Sequence, residues 1–216
     1  MDIIAPKIPC DLFEVTDFLA SINEFKRDEM PINALCVRHG TFESSDFYHT
    51  EFCGCEIENC TFKGCDFQKS EFTDVRFQEC DFSNSDFRNA FFNRCEFMNC
   101  KCVGINISDS MLKNLSVRHS NFSYCLLDRS KFNSFSSFES NFSNASISEA
   151  ELKKFEAVKT QFFGVNFFRT MLSGIDFSKD DFENIMISEG MKELKGCILN
   201  QFQTVDIAKM LGVIIR

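Results

Sequence analysis

The chain has 216 residues, 44% of them hydrophobic and 25% charged, with a formal charge of −9 and an isoelectric point near 4.9. This balance is too apolar for a disordered chain. It is also too acidic for a protein that grips nucleic acid through phosphates, which requires a basic face. A basic protein partner suits the charge better.

Residues 1–29 read as an N-terminal cap. Met1 to Lys7 lack a charged stretch followed by an apolar run, so no signal peptide is expected. No run of about 18 apolar residues occurs, so no membrane span is expected either. The twelve Cys are then expected as reduced thiols of a cytoplasmic protein. Asp11 and Glu14 have the spacing of a capping box, which would open a short helix with Leu12, Val15, Phe18, Leu19 and Ile22 on one side. A hairpin-like cap is the alternative. Its role is to cover the first coil of the repeat region.

Residues 30–190 obey a five-residue rule. From Ile32 to Ile187 every fifth residue is a centre, and 29 of these 32 centres are Phe, Ile, Leu or Val. The exceptions are Cys102, Ser137 and Ala157. Five matches neither the helical period of about 3.6 nor the strand period of about 2. A chain that turns a corner after each pentad puts every centre inside, and four sides close a square coil of twenty residues. Two residues before each centre runs a mostly small series, including Gly40, Ser45, Thr50, Cys55, Cys60, Cys65 and Ser70. Where Ser137 and Ala157 are small, their partners Phe135 and Phe155 are large, as a shared core of fixed volume requires. About eight coils are expected.

The unit closely resembles the pentapeptide-repeat family, A-(D/N)-(L/F)-x-x. Cys65, Asp66, Phe67, Gln68 and Lys69 match it as they stand, as do Ser85, Asp86, Phe87, Arg88 and Asn89. The resemblance implies an all-β solenoid, a right-handed quadrilateral β-helix whose coils stack through backbone hydrogen bonds.

Residues 191–216 read as a C-terminal module. Asn200 and Gln203 suit a helix start, the helix runs to about Leu211 with Gly212 as its stop, and Val213, Ile214 and Ile215 form a short apolar strand. This ending resembles that of the Qnr group of pentapeptide-repeat proteins, which protect type II topoisomerases from quinolones. In that group the terminal helix and strand pair with a second subunit. Here the resemblance implies a homodimer through Leu211, Val213, Ile214 and Ile215, with Phe163 and Phe168 at outward positions nearby; packing of those two Phe under the cap is the alternative. Loops that interrupt the repeat in better-known Qnr members are absent from this register.

Chemistry inside the rod is not expected. The inward Cys residues fill the core, and their spacing puts neighbours on different walls rather than around a metal. Cys36 and Cys53 fall outside that series and are the expected sites of oxidation. His39, His49 and His119 sit at corners without triad or ligand partners, and no phosphate loop or hydrolase motif occurs. No enzyme, no cofactor and no metal are expected. The candidate surface is an acidic wall: Asp46, Asp66 and Asp86 stack at equivalent positions, with Glu51 and Glu71 across the next corner. A line of like charge on a rod as wide as a duplex would imitate DNA to a basic cleft, whereas Asp is also the family's preferred residue there. Together with the resemblance to the Qnr group, which implies the partner, this makes the expected function a DNA mimic that binds DNA gyrase or topoisomerase IV and protects it from quinolones or inhibits it. The alternatives are a scaffold with an unrelated protein partner, or an immunity factor against a topoisomerase poison.

Overall fold

Every fifth residue from Ala34 to Gly174 has positive φ, and these corners turn the chain into a solenoid. The computed structural model describes residues 3–15, 17–28 and 30–215. Most corner residues are not glycine; Lys69, Asn89 and Arg129 hold φ of 57°, 59° and 57°. Left-handed backbone costs an L-residue roughly 1–2 kcal/mol. Most such corners offset that cost by donating their N–H to the next coil, as Asn84 does to the Val103 carbonyl at 2.9 Å and Tyr124 to Ser143 at 3.0 Å.

Two kinds of corner divide the sides into adjacent pairs. Phe67, Phe87 and Phe142 accept from the N–H three residues on, at 3.0–3.1 Å, which closes type II turns around Lys69, Asn89 and Asn144. On the other two sides the interstrand ladder runs through the corner. There two pentads merge into eight-residue strands, Phe91–Met98, Met111–Arg118, Lys131–Phe138 and Glu151–Val158. These pair in parallel at a twenty-residue register, so that Phe92, Leu112, Phe132 and Leu152 lie one above another.

The centres form aromatic stacks inside. Phe42, Phe62 and Phe82 lie 4.9 and 5.0 Å apart between ring centroids, and Phe47, Phe67 and Phe87 lie 4.6 and 4.5 Å apart. Phe122, Phe142 and Phe162 resume the first stack beyond Cys102. Offset stacking of buried rings contributes about 0.5–1.5 kcal/mol per pair beyond burial itself.

The small inward series knits the coils together. Ser70, Ser110 and Ser130 donate their hydroxyls to the carbonyls of Phe47, Phe87 and Ile107, twenty-three residues earlier, at 2.7, 3.0 and 2.8 Å. Ser85 does the same to Phe62. Cys95 donates its thiol to Phe72 at 3.3 Å. The hydroxyls also accept: the N–H groups of Cys65, Ala90 and Cys100 point at Ser85, Ser110 and Ser120. Burial pushes the Cys55 thiol up to about 11 and the Cys95 thiol up to about 12, which keeps both protonated as donors. All twelve Cys are free thiols. Cys36 is buried, Cys53 half-buried and Cys10 exposed, so Cys10 rather than Cys36 is the open thiol.

The N-terminal end differs from the capping-box expectation. Phe13–Glu14 is a short strand on Leu35–Arg38, with Phe13 N–H donating to the Ala34 carbonyl at 2.8 Å. An open strand edge competes for that backbone, and it wins over a helix turn. The helix α1, Phe18–Arg27, starts after Asp17, whose carboxylate accepts from Ala20 N–H at 3.0 Å. Phe18 and Ile22, four residues apart, are its buried face. The Phe18 ring lies 5.3–6.5 Å from those of Phe42, Phe47, Phe52 and Phe62, plugging the first coil.

At the other end the register holds to Met186, whose carbonyl accepts from Phe167 N–H at 2.7 Å. The chain then bulges through Met191 (φ 47°). Pairing resumes two residues late, with Leu172 N–H on the Glu193 carbonyl and Phe177 N–H on that of Ile198. Leu194 and Leu199 pack on the core, so the five-residue step reappears beyond Ile187. The helix α2, Gln203–Met210, comes next. Asn200 and Gln203 bond each other reciprocally, side chain to backbone, at 2.8 and 3.1 Å. Gly212 (φ 80°) ends the helix in a Schellman motif, with Gly212 N–H on Lys209 and Val213 N–H on Ala208. Residues 213–215 form no strand, because no edge of the chain pairs with them.

Candidate functional site

The acidic wall assembles as a stack. Asp46 pairs with Asp66 and Asp66 with Asp86 in parallel bridges, and Glu51 stands opposite Glu71. Each Asp also has a local role. The carboxylates of Asp46, Asp66 and Asp86 accept from the N–H of Tyr48, Gln68 and Arg88, two residues on, at 2.7, 2.9 and 3.0 Å. Asn106, Asn121 and Asn141 do the same for Ser108, Ser123 and Ser143. Asp or Asn at this position is therefore a turn device.

Cations cover part of the stack. Lys26 of α1 sits 3.0 Å from Asp46, and Arg88 clasps Asp86 at 2.7 Å. Burial works to raise the Asp46 carboxyl, but the Tyr48 N–H and the Lys26 ammonium outweigh it and leave it lowered. Glu51 and Glu71 are exposed, and among the described residues neither makes an ion pair. Both line a cleft of about 480 Å3 between α1 and the first corners, together with Phe25, Lys26, Tyr48 and Lys69. Lys69 is held over the Tyr48 ring, 5.5 Å from its centroid.

Further along, charges alternate from coil to coil. Arg129 pairs with Asp109 at 2.7 Å and Arg169 with Glu149 at 3.0 Å, all in one column. Glu139 lies between His119 and Lys159, at 3.3 and 2.8 Å. Arg76 lies between Glu56 and Glu96, at 2.9 and 3.4 Å. Reading every twentieth residue reveals these columns, whereas reading every fifth hides them. Glu56, Arg76 and Glu96 belong to the same coils as the acidic stack, so the alternation reaches the N-terminal half as well. Among the described residues no group of three His, Cys, Asp or Glu is placed to hold a metal, and no helix is long and apolar enough to cross a membrane.

The apolar candidates lie at the opposite end. Phe163 and Phe168 are exposed rather than packed beneath α2, and Arg169 covers the Phe168 ring at 4.8 Å. Leu211, Val213, Ile214 and Ile215 are also exposed, Ile214 at 84%. Sequence reasoning missed Phe202, exposed at 76% beside the start of α2, because it reads as part of that helix's apolar side.

Residues 45–84 and 76–114 match the family of pentapeptide repeats, in eight copies. No curated protein sequence matches the chain. Among solved structures it is similar to full-length QnrB1, described as a plasmid-mediated fluoroquinolone resistance protein. That pair is 18% identical over 84% of this chain and 92% of that one, with a TM-score of 0.49. It is also similar to HetL, a pentapeptide repeat protein involved in heterocyst differentiation regulation from the cyanobacterium Nostoc. There the identity is 15% over 87% of this chain and 93% of that one, with a TM-score of 0.44. Residues 45–114 thus carry pentapeptide repeats, and the solenoid continues the same five-residue step on either side of them.

Proposed function

We propose that this protein works by binding rather than by catalysis, and that its partner is a type II topoisomerase, DNA gyrase or topoisomerase IV, met through the acidic N-terminal coils. The observation that carries this reading is the Glu51–Glu71 pair: like charges in direct register, exposed and in no ion pair among the described residues, with Lys26 and Lys69 lining the same cleft. Like charges directly opposite destabilise a sheet, and a basic DNA-binding cleft would relieve that repulsion. The likeness of residues 208–215 to the Qnr ending supports the choice of partner, with protection from quinolones or inhibition as the outcome. The same likeness supports a homodimer through Leu211, Val213, Ile214 and Ile215 beside Phe163 and Phe168. The free thiols fit a cytoplasmic setting.

A second reading, a scaffold for an unrelated protein, is favoured by the alternating charge columns around Arg129, Glu139 and Arg76, which do not imitate a phosphate backbone. Capture of purified gyrase by the immobilised protein separates the two. Under the first reading capture weakens with added duplex DNA and with salt, and Glu51→Gln with Glu71→Gln lowers affinity about tenfold, or roughly 1.4 kcal/mol. Capture indifferent to DNA, salt and both substitutions supports the scaffold reading and removes the mimicry.

A further inference from the structure

The hydroxyl and thiol ladder has one member of a different kind. In the column that runs through Ser120, Ser140 and Thr160, the next inward residue is Asp180, buried with 6% of its surface exposed. Its Oδ1 takes over the accepting half of the ladder bond, receiving Thr160 N–H at 2.8 Å as Ser140 Oγ receives Ser120 N–H at 3.2 Å. Its Oδ2 is buried and has no hydrogen-bond partner among the described residues. At Ser70, Ser110, Ser130 and Thr170, and in this column at Ser120, the second half of the bond is a donation to the carbonyl twenty-three residues earlier, whereas Ser140 donates to Phe138 and Thr160 meets the Ser137 hydroxyl. For Asp180 that carbonyl belongs to Ala157. A carboxylate cannot donate, but a carboxylic acid can.

The position carries structural weight. The Asp180 carbonyl accepts from Gln203 Nε2 at 2.8 Å, and the same amide donates to Phe177 at 2.8 Å. Gln203 is the first residue of α2 and its one buried side chain, so the C-terminal helix hangs from the turn that contains Asp180. That turn is also irregular: Lys179 is missing from the positive-φ corners, and Lys159 N–H bonds Lys179 instead of the residue before it.

We propose that Asp180 is a proton-operated latch on the C-terminal cap. Protonated, its Oδ2–H donates to the Ala157 carbonyl and completes the ladder. Ionised, it leaves that carbonyl without its donor and places a charge beneath α2, which loosens the helix and the apolar residues 211–215 beyond it.

The surroundings favour the neutral form. Burial, and next the nearby Asp176 and Asp181 carboxylates, push Asp180 up to about 6; the Thr160 N–H and Lys179 pull the other way without prevailing. From α2 the neutral Gln203 amide holds the Asp180 backbone carbonyl, while Asp206 and Lys209 pair with each other at 2.9 Å. Because the folded value is raised, protonation stabilises the closed cap. That stabilisation is fully present below the unfolded carboxylate value and is lost as pH rises through about 6.

The test is a carboxyl NMR titration of Asp180 in the full chain, joined to hydrogen exchange of the α2 amides corrected for intrinsic rates. Asp180 should titrate well above the ordinary carboxylate value of about 4, and α2 protection should fall about tenfold between pH 5 and pH 8. Asp180→Asn, whose amide supplies both halves of the bond, should abolish that fall; if it does not fold, Asp180→Ser restores the ladder's usual hydroxyl for the same measurement. Titration at or below the ordinary value overturns the latch. So does a fall that persists unchanged in the folded variant.

Discussion

Phe135 stacks on Phe155 with ring centroids 4.9 Å apart and planes 18° from parallel, while Ser137 and Ala157, two residues on, face each other in the same two coils. Size has moved from the centre of the pentad to its neighbour in both coils at once. Phe155→Ala should therefore cost about 3–5 kcal/mol. Ala157→Leu alone should overpack the site and cost about 1–3 kcal/mol. The two together should cost less than their sum, because the leucine fills the space the ring leaves. Denaturant unfolding of the three variants measures it; strict additivity would mean the two positions do not share volume.

Position in the ladder should decide what a hydroxyl contributes. Ser85 is buried and bonded on both sides, to the Phe62 carbonyl and the Cys65 N–H. Ser85→Ala should cost about 1–3 kcal/mol, since two buried groups lose their partner. Thr50 stands near the start of its column, and its Oγ1 is buried without a partner among the described residues. Thr50→Val should be neutral or stabilising. Equal losses at both sites, read from unfolding midpoints, would contradict the ladder.

The turn-forming Asp residues should be replaceable by Asn. Asp46, Asp66 and Asp86 use a carboxylate oxygen that an amide oxygen supplies equally at Asn106, Asn121 and Asn141. The triple change to Asn should keep the far-ultraviolet spectrum and shift stability by less than about 1 kcal/mol. Collapse of the N-terminal coils would show that the charge itself is structural.

Acid should act on the ion-pair columns with the opposite sign to Asp180. Burial tends to raise Asp74, but bonds from Arg94 and the Lys7 N–H outweigh it and hold the carboxyl lowered. Its stabilisation is present above the unfolded value of about 4 and disappears as pH falls through the lower folded value. Asp74→Asn should therefore be destabilised against the parent at pH 7, with the gap closing below about pH 4. The exposed pair Asp109–Arg129 should show a smaller gap at every pH. Urea titrations across the range compare the two.

Removal of residues 204–216 should leave a monomer, or a protein that aggregates through its uncapped end. Gln203 and Asn200 remain to hold the last turn. Analytical ultracentrifugation decides: a truncated chain that sediments as a stable dimer places the interface away from Leu211 and residues 213–215.

The sequence by itself determined the solenoid. A side chain that must be inside every fifth residue leaves one backbone solution, so the four walls, the stacks of Phe and the exchange at Phe135 and Phe155 were all legible in the chain alone. The reciprocal bond of Asn200 with Gln203 and the stop at Gly212 were legible too, because caps are local. What only the tertiary structure decided depends on neighbours twenty residues away. Asp17 opens the first helix rather than Asp11, because the strand edge at Leu35 claims Phe13. Pairing slips by two residues after Ile187, because the bulge through Met191 lengthens the last coil. The acidic wall is partly neutralised by Lys26 and Arg88, and its Asp residues are held by their own turns. Asp180 takes on its meaning only from the Thr160 N–H behind it and the helix it suspends.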